Sequence, residues 1–376
     1  MGHLRCDNMS EVFFADLRAD RPSRSVPNKI QKLYKRAGLG KAFAPGDLVA
    51  IKTHFGEDGN TTYLRPELVS KVVDLVAKDG GRPFLTDSST LYKGMRTNAV
   101  DHLLVAARHG FTYPVVNAPV IIADGLRGTD YVEVRVDLKH CQTVKFGAAA
   151  QHADSLIAVS HFKGHGLTGF GAALKNVGMG LGSRRGKMEM HALVKPTVKG
   201  ENCKGCGRCV VQCPADAIRM VGRTVQIDPE KCIGCGECNI ACQNNGIDQG
   251  SWENYIGVQE RIVEYCYGIL KSKKGKTGYM TFIMDVTPLC DCYNFSDTPI
   301  VPNIGILASR DIVAIDQAAA DLVNAAPGLK NSMLKGGLAP GDDKFRQVVD
   351  ADWTAQLKYA EELGLGERKY DLIKVR

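Results

Sequence analysis

No stretch of the 376-residue sequence comes near the roughly 20 consecutive apolar residues that would span a bilayer. The opening MGHLRCDNMSEVFF lacks the long apolar core of a secretory leader. A basic stripe interleaved with aromatics is also missing: lysine and arginine are scattered, so the net charge of +7 reads as a solvated surface and not as a nucleic-acid footprint. Low-complexity tracts are absent, and one duplicated cysteine pattern is the sole internal repeat. These absences point to a soluble cytoplasmic protein with no membrane and no nucleic acid among its partners, and the basic balance suits an acidic redox partner protein. Met9 is a second candidate start, which makes residues 1–8 read as an upstream extension.

Cysteine, by contrast, is plentiful, with thirteen in the chain. Eight fall between Lys199 and Asp248 in two copies of one spacing, Cys203-x2-Cys206-x2-Cys209-x3-Cys213-Pro214 and Cys232-x2-Cys235-x2-Cys238-x3-Cys242. The spacing is that of a bacterial-type ferredoxin with two 4Fe-4S clusters, in which three thiolates of one loop hold one cluster and the fourth points to the other. Crossed ligation follows. Cys203, Cys206, Cys209 and Cys242 are expected to hold one cluster, and Cys232, Cys235, Cys238 and Cys213 the second. Zinc pairs also use C-x2-C, but two zinc ions give no reason for a fourth cysteine three residues on, twice. Gly205, Gly207, Gly234 and Gly236 let backbone N–H groups approach the sulfides. Gln243, where the first copy has Pro214, changes the turn after the ligand more than the ligation. Oxygen-labile clusters argue for a reducing, anaerobic setting in which no disulfides form.

The rest of the chain alternates short apolar runs with amphipathic helical patterns, the mark of an α/β fold with a mostly parallel sheet flanked by helices. Strands are expected at Val12–Ala15, Leu48–Lys52, Pro83–Thr86, Val115–Asn117, Leu156–Ser160, Met280–Met284 and Ile304–Ser309. Helices are expected at Arg65–Asp79, Ala99–His109, Tyr255–Lys271 and Asp316–Asn324, with Pro66 and Gly80-Gly81 as start and stop signals. Three parts result: an α/β domain whose first part is 10–198, an inserted α+β ferredoxin-like domain at 199–250, and the second α/β part at 251–376. Cys266 falls at helical spacing with Ile262 and Ile269 and is read as core. Cys6 and Cys141 have no partner pattern and no assigned role.

Loops leaving the carboxyl ends of such strands are where ligands bind. One runs from Ser160 through His161, Lys163, Gly164, His165, Gly166, Gly169 and Gly171 to Lys175 and Asn176. Its cationic side chains and exposed N–H groups are suited to cradling an anion, with the four glycines and Asn176 as the binding set. Gly164-x-Gly166-x-x-Gly169 formally matches the dinucleotide fingerprint, but no βαβ unit with an acidic residue follows it. A second loop carries Lys52, Thr53 and His54, ionisable groups that need partners if buried. A third carries Cys290-Asp291-Cys292. Its thiols are read either as ligands of a third metal, iron or zinc, completed by His161 or His165 with one open position, or as a vicinal redox pair, or as small buried hydrophobes.

Lys52-Thr53-His54, His161-Phe162-Lys163-Gly164-His165, Leu174-Lys175-Asn176, Cys290-Asp291-Cys292 and the run Ile304–Asp316 together resemble the domain-of-unknown-function 362 family. That resemblance covers nearly the whole chain. It implies an iron–sulfur centre protein with an inserted ferredoxin module and leaves the reaction open.

Two functions of different class fit these features. In the first the protein is a ferredoxin-type iron–sulfur oxidoreductase: low-potential electrons pass through the clusters to a small anionic substrate, or to the third metal centre, in the α/β domain. Lys52, Lys163 and Lys175 then orient the anion, and His54, His161 or His165 supplies a proton or a metal ligand. In the second the protein is non-catalytic, an electron-transfer subunit or a metal or cofactor maturation factor for a partner.

Overall fold

The computed structural model describes residues 9–376 apart from 93, 192–195, 234–237, 239–240, 243, 245 and 249–251. Cys6, Gly234, Cys235, Gly236 and Gln243 therefore lie outside the described residues. One sheet of eight strands carries the fold. From edge to edge they are Tyr370–Lys374, Ser10–Asp16, Gly305–Ser309, Thr277–Ile283, Ser155–His161, Leu48–Lys52, Arg82–Asp87 and Val120–Ile122. Gly305–Ser309 runs antiparallel to both neighbours, and every other pair is parallel. The sheet is thus mostly parallel, as the sequence pattern indicates.

Ser155–His161 and Thr277–Ile283 are buried at every position, as befits central strands covered on both faces. Alternation along a strand feeds two cores. In Leu48–Lys52, Val49 and Ile51 face a cluster with Ile30, Leu33, Val69, Val72 and Val73, whereas Ala50 faces one with Leu174, Val177, Ile262, Val313 and Ala320. Helices Val26–Arg36 and Pro66–Lys78 therefore cover one face, and Ala173–Leu181, Trp252–Lys273 and Ile312–Ala325 the other. Cys266 is fully buried in the second cluster. No helix among the described residues is long and apolar enough to cross a membrane.

One expected strand is absent. Val115–Asn117 forms turns, because the Val116 amide turns back to the Thr112 carbonyl at 2.9 Å and is lost to any ladder. The strand starts after Pro119, at Val120. Helix starts follow local chemistry: Asp311 accepts from the Val313 and Ala314 amides, Asn98 from Asp101, and Pro66 occupies a first turn where its missing N–H costs nothing.

Strands from both sides of the cysteine-rich segment enter this sheet, for Ser155–His161 pairs in parallel with Thr277–Ile283. Within the segment, Thr197–Val198 pairs with Ile247–Asp248, Ile218–Val221 pairs with Thr224–Ile227, and Arg208–Gln212 is a short helix. A separate apolar cluster of Cys209, Cys213, Ala217, Ile218, Val225, Cys238 and Ile247 holds it together.

Helix Ala173–Leu181, which carries Lys175, lies so close to Trp252–Lys273 that a β-carbon at Gly178 would sit 2.2 Å from the Ile262 carbonyl oxygen. Backbone cannot yield as a side chain can. Gly178→Ala is expected to lower stability by about 1–3 kcal/mol in urea unfolding. Gly200→Ala, with nothing within 4 Å, should leave the transition unchanged.

Candidate functional site

Strands Leu48–Lys52, Arg82–Asp87, Ser155–His161 and Thr277–Ile283 end on one edge of the sheet, and the loops leaving them enclose a cavity of about 740 Å³. Lys52, His54, Lys163, His165, Gly166, Gly171, Lys175, Asn176 and Cys292 all line it. So do Gln212 and Ala241, the residues just before Cys213 and Cys242.

Lys52 is fully buried and donates to Asp87 at 3.0 Å, Asn176 Oδ1 at 2.7 Å and the Thr53 carbonyl at 2.9 Å. Burial lowers its pKa to about 8 against the pull of Asp87. The Asn176 amide nitrogen is held by Ser160 Oγ, Val159 O and Lys52 O, so this side chain clamps helix to strands. Arg96, 1 % exposed, binds Glu57 at 3.2 Å, Asp87 at 3.4 Å and His54 Nε2 at 3.1 Å, and also donates to the Tyr92 hydroxyl. Burial, then Arg96, Lys163, Lys52 and Lys175, hold His54 well below the usual histidine range, so it is neutral. Its Nδ1 lies 3.0 Å from the Gly56 amide, so both ring nitrogens face protein donors.

The loops after Ser155–His161 and Thr277–Ile283 meet, as their strand ends indicate. The Gly164 amide donates to the Thr287 carbonyl, and a β-carbon on Gly164 would sit 2.1 Å from the Pro288 carbonyl oxygen. Asp291, fully buried, faces His161 Nδ1 at 2.9 Å and Lys163 at 3.2 Å. Burial works against its charge, yet His161 and Lys163 outweigh it and hold the carboxyl below its usual range. His161 Nε2 faces the Met284 carbonyl at 2.7 Å. Both ring nitrogens thus face acceptor oxygens of the protein, which commits His161 to positioning Asp291. His165 differs: Nδ1 lies 3.0 Å from Thr168 Oγ1 and accepts from the Leu167 and Thr168 amides. Burial, then Lys175, keeps it neutral, which leaves Nε2–H as its remaining polar group on the cavity.

Lys175 Nζ lies 3.3 Å from Cys290 Sγ. Burial opposes the lysine's charge, but Cys290 and Cys292 raise its pKa. The Cys292 thiol donates to Cys290, which with Lys175 holds Cys290 well below the usual thiol range. Cys290 is buried and Cys292 half-buried on the cavity wall. The glycines serve packing: Gly171 lies against the Lys175 chain and Gly169, with φ +75°, against Trp353. Lys163–His165 and Gly169–Gly171 form an antiparallel hairpin, which is not the strand-to-helix turn of a dinucleotide fingerprint.

In the cysteine-rich segment, Cys203, Cys206, Cys209 and Cys242 line one small cavity. Cys213 Sγ accepts from the Ala217 amide at 3.2 Å and Cys242 Sγ from Gly246 at 3.1 Å, the same i+4 contact in both copies. Among the described residues no three His, Cys, Asp or Glu side chains close to the spacing of a single metal ion.

Sequence reasoning missed Glu57, Asp87, Ser88, Thr90, Tyr92, Arg96 and Lys187, all on the cavity wall. Asp87, Ser88 and Thr90 directly follow an expected strand, so the strand-end rule used for Lys52 and His161 would have found them.

The family described as Domain of unknown function (DUF362) matches residues 49–321, and the chain belongs to that family. A thylakoid-associated protein of Synechocystis sp. is 28% identical over 155 residues, 40% of this chain and 44% of that one, so the chain spans less than half of that relative's length. The lactate racemase apoprotein from Thermoanaerobacterium thermosaccharolyticum is similar in structure, with a TM-score of 0.40 and 12% identity over 97% of this chain and 83% of that one.

Removing Arg96 would strand the buried Glu57 carboxylate and strip a partner from Asp87. Arg96→Met is expected to cost about 3–5 kcal/mol in denaturant unfolding, the usual loss when one member of a buried ion pair is deleted. Arg65→Met, which breaks an exposed pair with Asp285, should cost about 1 kcal/mol or less.

Proposed function

We propose that this member of the domain-of-unknown-function 362 family is an iron–sulfur oxidoreductase in which residues 199–250 form a two-cluster ferredoxin module that feeds single electrons into the cation-lined cavity. The observation that carries this reading is the shared wall: Gln212 and Ala241, each adjacent to a cluster cysteine, line the same cavity as Lys175, His165 and Cys292. Cys203, Cys206, Cys209 and Cys242 gathered on one small cavity support the crossed assignment. The Ala217 and Gly246 amides donate to Cys213 and Cys242 in the same way, which supports equivalent roles for the fourth cysteine of each copy. Cys232, Cys238 and Cys213, with Cys235, take the second cluster. When bound, such clusters supply one-electron transfer at low potential.

Within the cavity, Lys163 and Lys52 keep a positive field toward a small anionic substrate, Lys175 sits between that substrate and Cys290, and His165 offers a neutral N–H donor. Cys290 and Cys292 form the third centre, as a thiol pair or as ligands of iron or zinc. A redox partner protein in a reducing cytoplasm supplies or accepts the electrons. An electron-transfer subunit or maturation factor without its own substrate needs no cavity of this size at the cluster module, so the carrier reading is second.

Anaerobic protein is expected to be brown, with iron for two cubanes. Cys213→Ser should disturb the electron paramagnetic resonance of the second-motif cluster and spare the first. Loss confined to the first-motif cluster would overturn the crossed assignment. Replacing both Cys290 and Cys292 with Ser should abolish turnover with both cluster signals intact. Full activation of a partner by that double variant would favour the carrier.

A further inference from the structure

The cavity holds two buried ammonium groups with no carboxylate within ion-pairing distance among the described residues. Lys175 has Cys290 as its partner. Lys187, on helix Arg184–His191, is 7 % exposed, and its ammonium makes one hydrogen bond among the described residues, to the Gly182 carbonyl at 2.6 Å. Asp124 and Asp87 act on Lys187 only through space. A buried cation left in this state is unfavourable unless an anion joins it.

A second, independent observation lies on the loop that follows Arg82–Asp87, on the wall of the same cavity. Ser88 and Thr90, both buried cavity-lining residues, have hydroxyl oxygens without a hydrogen-bond partner among the described residues. Their amides are already spent, Ser88 on Asp87 and Thr90 on the Arg96 carbonyl, so the hydroxyls alone are free to donate. Buried polar groups in native proteins find partners, so two unpaired hydroxyls on neighbouring residues of the cavity wall call for one. Hydroxyl donors and an ammonium together match the oxygens of an oxyanion.

We propose that Ser88, Thr90 and Lys187 form an anchor for a dianionic oxyanion group, a phosphoryl group or a dicarboxylate, on the molecule that enters the cavity. This deepens the reading above by naming the class of substrate: a small molecule bearing such a group, with the remainder directed along the wall shared with Lys175 and Cys292. Lys187 supplies charge, and the two hydroxyls fix the orientation of the oxygens. Lys52, already saturated by Asp87, Asn176 and Thr53, adds field without a free proton to donate.

The test is calorimetric titration of the full-length anaerobic protein with inorganic phosphate and, separately, with succinate. Saturable one-to-one binding of either is expected, and the anion that binds identifies the group. Lys187→Met should weaken it at least tenfold, and Ser88→Ala combined with Thr90→Val, which only removes hydroxyls, should do the same if the lysine variant fails to fold. Lys35→Met, on an exposed helix face, should change nothing. Affinity should fall as pH rises through about 8, where Lys187 sheds its proton, and in the Lys187→Met protein that fall should shrink to the part contributed by Lys52, which loses its proton in the same range. Failure of both anions to bind, or binding indifferent to these variants, overturns the anchor. Titration needs no electron transfer, so cluster-free protein that binds phosphate would refute the electron reading alone, and eight-iron protein that binds neither anion would refute the anchor alone.

Discussion

The geometry of the cavity depends on a carboxylate that has no access to water. Asp291 accepts from His161 and Lys163 through its side chain, and its carbonyl accepts from the Glu57 amide at 2.9 Å. One residue thereby ties together the loops that follow Ser155–His161, Thr277–Ile283 and Leu48–Lys52. A buried carboxylate must be paired or lose its hydration uncompensated, and deleting Lys163 would take away the ammonium that faces it. Asp87 does the same for Lys52 and Arg96 one strand away. Both carboxylates sit at or beyond strand ends, so the sheet's parallel order delivers them to one edge. Lys52, Arg96 and Lys163 are paired with Asp87, Glu57 and Asp291 and Lys175 with Cys290, while Lys187 touches no ionised partner among the described residues.

Much of this was legible in the sequence, for identifiable reasons. Leu48–Lys52 and Gly305–Ser309 are short apolar runs between turn signals, and they fall where expected to within one residue. That the loop carrying Cys290 and Cys292 meets the His161–His165 loop, through Asp291 and Pro288, follows from strand ends alone. What did not follow was the role of each ring. A histidine in a sequence carries no mark of its partners, and only the neighbours Asp291 and Met284 show that His161 is a fastening while His165 keeps a donor toward the cavity. Arg96 was illegible for another reason: it stands nine residues beyond the end of its strand, in the stretch between Asp87 and the helix at Ala99, where no periodicity points inward.

The edges of the sheet were the harder part. Tyr370–Lys374 has mixed burial and pairs in parallel with Ser10–Asp16 from the far end of the chain, a contact that local pattern cannot reveal. Val115–Asn117 shows the converse error. Its valines look like strand, and Val116 is indeed fully buried, but its amide is spent within a turn. Burial and strand pairing are separate requirements, and apolar patterning reports only the first.

Lys175 links the thiol pair to whatever anion the cavity receives. Its one hydrogen-bond partner among the described residues is Cys290, so the negative charge of that sulfur is its counter-ion. Oxidation of the pair to a disulfide removes two electrons and one proton from the thiolate and thiol, and with them the charge that neutralises Lys175. A bound metal that draws on the same sulfur acts in the same direction. In either case the ammonium is left buried without a partner, and the cavity's attraction for an anion rises. Because the coupling is a free energy shared by two events, it also runs in reverse: an anion held by Lys175 and Lys187 makes it easier to withdraw charge from Cys290. If the cavity takes an anion as proposed, Lys175 makes its occupancy and the state of the thiol pair depend on one another through the contact to Cys290.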